Sequence, residues 1–191
     1  MSIQKKVDPT CIKKGNRPKI EDVINHCLDS DLKKSALDFS AFMRENKINF
    51  KIFTSCPNSQ RASYKGYEIC SIMVIEDGGL GNNYDGSQYW SISPKLYNIS
   101  KYDELAINEG LANIPWEVTR YCCFKDNPNR TDVNMSCIRC KKGLDRTIFG
   151  IEYRCLCHHY WPTFANPDET TVKTIKRLLE LEQMAREDSI R

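Results

Sequence analysis

From Ile20 onward apolar residues recur at three- and four-residue steps: Ile20, Val23, Ile24, Cys27 and Leu28. That spacing puts them on one face of a helix. Asp29-Ser30-Asp31 offers an N-cap for a second helix. Its stripe of Leu32, Ala36, Phe39 and Met43 predicts a helix over about 31–46, with Asn46 as its stop. The period then changes. Ile48, Phe50 and Ile52 alternate with Asn49 and Lys51, the pattern of a half-buried strand. Residues 54–61 are polar and contain Pro57, and read as a loop. Tyr64-Lys65-Gly66-Tyr67 reads as a tight turn, followed by a central strand over 68–75. Gln88 to Ser93 reads as a further strand that Pro94 ends. Ser100-Lys101-Tyr102-Asp103 has the spacing of a capping box and opens an expected helix over 101–113, with Tyr102, Leu105, Ala106 and Leu111 inward. Ile148 to Cys157 reads as one strand, with Ile151, Tyr153, Cys155 and Cys157 on a common face. The last element is a helix over about 167–187. Asn166 is its expected N-cap and Pro167 its first residue, with Val172, Ile175, Leu178, Leu179 and Leu181 on its apolar side. Glu182 and Arg186 form an expected i, i+4 pair.

These elements predict an α+β fold, an antiparallel sheet with helices packed on one face and a cysteine-rich zinc-binding subregion over about 120–160. Residues 1–17 are expected to be a flexible basic arm, and 18–191 a single domain. At 191 residues, 40% hydrophobic and 28% charged, the chain can bury an ordinary core. There is no run of about 18 apolar residues to span a membrane, and Met1 to Lys6 lacks the apolar core of an export signal. The expected location is therefore cytoplasmic, with no membrane partner.

A reducing compartment changes the meaning of the ten cysteines, because disulfides are not expected there. Cys11, Cys27, Cys56 and Cys70 are scattered, as packing residues are. Cys122, Cys123, Cys137, Cys140, Cys155 and Cys157 crowd into one short segment. Cys137-Ile138-Arg139-Cys140 is a C-x2-C, a spacing at which two thiolates chelate one Zn²⁺ from a tight turn. Cys155-Leu156-Cys157 supplies a second pair, and the two together approach a zinc ribbon. The C-x-C departs from the usual second C-x2-C, so Cys122 or Cys123 is held in reserve, with His158 and His159 as further candidates. An iron–sulfur cluster uses the same ligand type.

Catalytic chemistry has fewer carriers. Three histidines are present, and His26 lies in an apolar helical pattern that suggests packing. H-x-E, H-E-x-x-H, G-x-S-x-G and Walker A spacings are absent. Asp77 to Gly81 is glycine-rich without a dinucleotide-binding spacing. Tyr84, Tyr89, Trp90, Tyr97 and Tyr102 suit a core or a ligand pocket. Charge is uneven. Residues 1–20 carry six basic side chains against Asp8 alone, and residues 120–160 carry eight against four acidic ones. The expected function is a zinc-stabilised binding module for a protein or small ligand. The alternatives are nucleic-acid binding through the basic arm and zinc region, and a thiol- or pocket-based enzyme.

Overall fold

The computed structural model describes residues 18–53, 56–75, 88–113, 144–156 and 162–188. Chain contacts divide the molecule into two compact units, Met1–Ile92 and Ser93–Arg191. The fold is α+β, with an antiparallel five-stranded sheet of order β1 (Asn49–Phe53), β2 (Cys56–Tyr64), β3 (Tyr67–Ile75), β4 (Tyr89–Pro94) and β7 (Phe164–Ala165), and a separate two-stranded sheet of β5 (Leu144–Ile148) and β6 (Ile151–Leu156).

In the first unit, α1 (Ile20–Cys27) and α2 (Ser30–Glu45) follow the predicted periodicity. Ile20, Ile24, Cys27, Ala36, Phe39 and Met43 are all buried. Each large apolar side chain so buried contributes about 1.5–3 kcal/mol. His26 is exposed, which corrects its expected packing role; its helix buries the other side. A clamp joins the helices. Glu21 accepts from Arg44 Nε at 3.0 Å and Nη2 at 3.3 Å, and from Ser40 Oγ at 2.8 Å. Partial burial raises the Glu21 pKa, but these hydrogen bonds outweigh it and hold the group below the usual carboxylate range.

Helix α2 ends in a Schellman motif. Ile48 N donates to Met43 O and Lys47 N to Arg44 O, while the Asn46 side chain caps Phe42 O. Buried Ile48 supplies the apolar contact that accompanies such ends. The motif needs a left-handed residue, and here that residue is an exposed lysine, Lys47, at φ +59°. Lys47→Gly is therefore expected to raise stability by about 0.5–1 kcal/mol, a gain that urea unfolding would measure. A loss of stability would show that the lysine side chain contributes more than its backbone strain removes.

Strands β1 (Asn49–Phe53), β2 (Cys56–Tyr64), β3 (Tyr67–Ile75) and β4 (Tyr89–Pro94) complete the first unit and lead into the second. The Tyr64–Tyr67 turn forms as expected, with φ +47° at Lys65 and +88° at Gly66. Both central residues are left-handed, as a two-residue hairpin requires. The loop expected over 54–61 is corrected, because β2 already begins at Cys56. Pro57 lies beside the register shift between Ile52 and Phe53, near the strand's start, where a missing N–H is tolerated. The polarity of Ser59 and Arg61 reflects alternation with buried Gln60 and Ala62, not a loop.

The second unit contains a 3₁₀ turn (Ile99–Lys101), α3 (Asp103–Asn108), a second 3₁₀ turn (Leu111–Asn113), β5 (Leu144–Ile148), β6 (Ile151–Leu156), β7 (Phe164–Ala165) and α4 (Glu169–Glu187). The helix expected over 101–113 is thus broken into three pieces, with Gly110 at φ +72° behind α3. Tyr102, Ala106 and Leu111 are buried as expected, whereas Leu105 is exposed. At α4 the cap is Asp168, whose carboxylate accepts from Thr171 N at 2.7 Å. Asn166 and Pro167 precede it. The expected apolar side of α4 is buried throughout.

Candidate functional site

The cysteine segment enters the described chain at β5. Ile148 to Cys157 is not one strand, because the chain reverses at Phe149-Gly150. Residue pairs Ile148↔Ile151, Thr147↔Glu152, Arg146↔Tyr153 and Leu144↔Leu156 define an antiparallel hairpin. Its two turn residues have φ +52° and +74°, again the left-handed pair of a two-residue turn. Glycine suits the second position. A Cβ there would meet only Ile107 Cδ1 at 4.0 Å, so conformation and not space favours Gly150. Phenylalanine at the first position is unusual, since a left-handed non-glycine residue is strained.

Two features offset that strain. Phe149 is buried, 7% exposed. Its N–H also donates to Asp103 Oδ1 at 2.6 Å, and Gly150 N–H donates to Asp103 Oδ2 at 3.3 Å. The capping box expected of Ser100 and Asp103 is corrected accordingly. Tyr102 is the N-cap of α3 and makes no side-chain cap bond, and the Asp103 carboxylate holds the turn of a hairpin more than forty residues away.

The hairpin register also bears on the cysteines. It shifts between Leu144 and Arg146, leaving an extra residue on β6 between Tyr153 and Leu156. This is a β-bulge, and it interrupts the continuous alternation expected to align Ile151, Tyr153, Cys155 and Cys157. Cys155 belongs to the backbone of β6. Its side chain lies outside what is described, as do Cys122, Cys123, Cys137, Cys140, Cys157, His158 and His159. Among the described residues, no group of three or more His, Cys, Asp and Glu could hold a metal ion. Cys27 and Cys70 are buried, as scattered packing cysteines should be.

A second polar cluster lies in the same unit. Glu182 of α4 has no exposed surface, and its carboxylate is filled by four donors. Oε1 accepts from Asn98 Nδ2 at 2.9 Å and from Arg186 Nη2 at 2.9 Å. Oε2 accepts from Asn98 N at 3.0 Å and from Tyr102 Oη at 2.9 Å. Burial pushes the Tyr102 pKa far up, and the Glu182 charge and hydrogen bond add to it, so the phenol stays protonated. The Arg186 guanidinium also lies 5.7 Å from the Tyr97 ring centroid. With every acceptor position of Glu182 used internally, this cluster braces the 98–102 segment against α4. Helical spacing carried the signal: Ile175, Leu178, Leu179 and Glu182 fall on one stripe, so Glu182 was never a surface residue.

Trp90 and Tyr102 are buried, Tyr89 is half-buried, Tyr97 is exposed, and Tyr84 lies outside the described residues. No described helix is long and apolar enough to cross a membrane. No protein-family model, curated protein or solved structure matches the chain.

Proposed function

We propose that the protein is a zinc-stabilised binding module whose metal is held by Cys137, Cys140, Cys155 and Cys157, with Cys122 or Cys123 able to replace one of the second pair. The observation that carries this reading is the pairing Leu144↔Leu156 at the open end of the hairpin. Cys140 precedes Leu144 by four positions and Cys157 follows Leu156 by one. The chain therefore enters β5 and leaves β6 at the same end, with Cys137 and Cys140 preceding β5 in the sequence and Cys155 and Cys157 flanking Leu156. A two-stranded sheet is marginal by itself, and a thiolate-bound Zn²⁺ at its open end is a direct way to stabilise it. The partner is a protein or small ligand. Exposed Leu105 and Ile107 on α3, the latter beside the hairpin turn, are apolar side chains that such a partner would cover.

Metal analysis of the purified chain is expected to give one zinc per molecule. Cys137→Ser with Cys140→Ser should release it, and chelation of the wild type should lower the unfolding temperature. Metal-free protein of undiminished stability would end this reading.

A further inference from the structure

The β1-β2 pair displays its cations at a cost to the fold. Lys51 and Arg61 are direct partners in the register, and both are exposed. Like charges directly opposite one another destabilise a sheet. Lys47 holds φ +59° and Lys65 φ +47°, left-handed positions that glycine would take with less strain, and both side chains are exposed. Strain that a fold tolerates at such positions points to a use for the side chains. We infer that Lys47, Lys51, Arg61 and Lys65 form an anion-binding surface on the first unit that holds the phosphate backbone of a nucleic acid. This surface does not depend on the cysteines of residues 137–157.

The register brings the four together. Asn49 pairs with Ser63, and Lys51 pairs with Arg61 two residues further along. Lys47 and Lys65 each lie two residues beyond the Asn49–Ser63 pair, at its other end. Steps of two residues repeat about every 7 Å along one face of a strand, and paired strands lie about 5 Å apart. Gln60 and Ala62 alternate with these positions and are buried. Ser63 Oγ donates to Asn49 O at 3.4 Å, across the pair that lies between the two sets of cations. Lys65 Nζ lies 5.3 Å from the Tyr64 ring centroid, a contact that steadies the charge without neutralising it. Residues 46–68 hold these four basic side chains against Glu68 alone, so this stretch carries +3, as much as the whole chain. Glu68 meets Arg61 Nε at 3.3 Å. It pairs with Ser63 from β3, two strands and about 10 Å from β1. That is about a Debye length at 0.1 M salt, so Glu68 offsets Arg61 far more than Lys51. The chemistry selects a nucleic acid over an acidic protein. Protein interfaces centre on buried aromatic or apolar anchors, and Asn49, Lys51, Arg61 and Ser63 supply none. Lys, Arg, Asn and Ser are side chains that bind phosphate oxygens, and a backbone with one charge per nucleotide matches cations repeated along a strand. Such contacts leave the bases unread, so binding is independent of sequence.

Fluorescence anisotropy of a labelled single-stranded DNA of mixed sequence, titrated with the full chain, tests this surface. With about three net phosphate contacts, log affinity should fall against log salt with a slope of about −2, or about twentyfold between 50 and 200 mM. The double variant Lys47→Gly, Lys51→Gln removes two cations. Its first change is expected to stabilise the end of α2, so weaker binding would not come from unfolding. Its affinity at low salt should fall about tenfold and its slope should flatten by about 1.4. Lys51→Arg keeps the charge and should bind as the wild type does. In the wild type, the Asn49 and Lys51 amide resonances should shift as DNA is added, a readout that needs no variant to fold. Absence of binding at low salt would overturn the inference. Equal affinity and slope in the wild type and the double variant would overturn it too, by placing the contacts on other basic segments, as would unmoved Asn49 and Lys51 resonances. Poly-glutamate that binds as tightly as the DNA, and is lost in the same variant, would overturn the nucleic acid in favour of an acidic protein.

Discussion

Replacing Glu182 with alanine is expected to lower stability by about 4 kcal/mol, because it strips a buried cluster of the carboxylate that four donors share. Asn98 N, Asn98 Nδ2, Tyr102 Oη and Arg186 Nη2 all point at one carboxylate with no exposed surface. Alanine would leave four donors without that partner, one of them a guanidinium whose side chain is only 11% exposed. At roughly 2–4 °C per kcal/mol for a chain of this size, the unfolding temperature should fall by roughly 8–16 °C. Glutamine should recover little. Its amide nitrogen cannot accept, so whichever oxygen it replaces faces two donors. On the Oε2 side the Tyr102 hydroxyl can reverse its role, but Asn98 N cannot. Thermal unfolding followed by circular dichroism separates these cases. An unchanged midpoint in Glu182→Ala would mean that the cluster is solvated and contributes nothing.

That buried position was legible in the sequence. The i, i+4 spacing of Glu182 and Arg186 correctly predicted their ion pair, now found at 2.9 Å. The pairing by itself says nothing of burial, whereas Ile175, Leu178 and Leu179 put Glu182 on the buried stripe. Elements with strong periodicity were the most readable. Helices α1, α2 and α4 and strands β1, β3 and β4 lie close to where the apolar pattern puts them, since each buries one face. Two kinds of element escaped. Strand β2 hid behind Pro57 and a polar solvent-side alternation. The β5-β6 hairpin hid because Phe149 has none of the chemistry of a turn residue. Its conformation depends on Asp103, and no local pattern reports a contact between residues 103 and 149. The cysteine pairs have the opposite character. Their spacing is local and so was visible at once, whereas the hairpin register on which the proposed site rests is not written in that spacing.

Trp90→Ala is the matching test in the first unit, with an expected loss of about 4 kcal/mol. Trp90 is the largest fully buried side chain among the described residues, and its ring lies 6.2 Å from that of Phe39, at 53°. Phe39 in turn lies 6.2 Å from Phe42 on the same helix. The indole therefore joins β4 to α2, and its removal leaves a hole bounded by a strand on one side and an aromatic pair on the other. A helix and a sheet strand cannot close over such a volume without breaking their own hydrogen bonds, so the cavity should persist and its cost with it. Trp90→Phe keeps most of the ring and should lose less than half as much. Hydrogen exchange gives the sharper discrimination. Trp90→Ala should accelerate exchange first in α2 and β4, whereas Glu182→Ala should accelerate it first around residues 98–102 and in α4. If Trp90→Ala leaves both the unfolding midpoint and α2 exchange unchanged, the packing of α2 on the sheet through this ring is not what holds the first unit together.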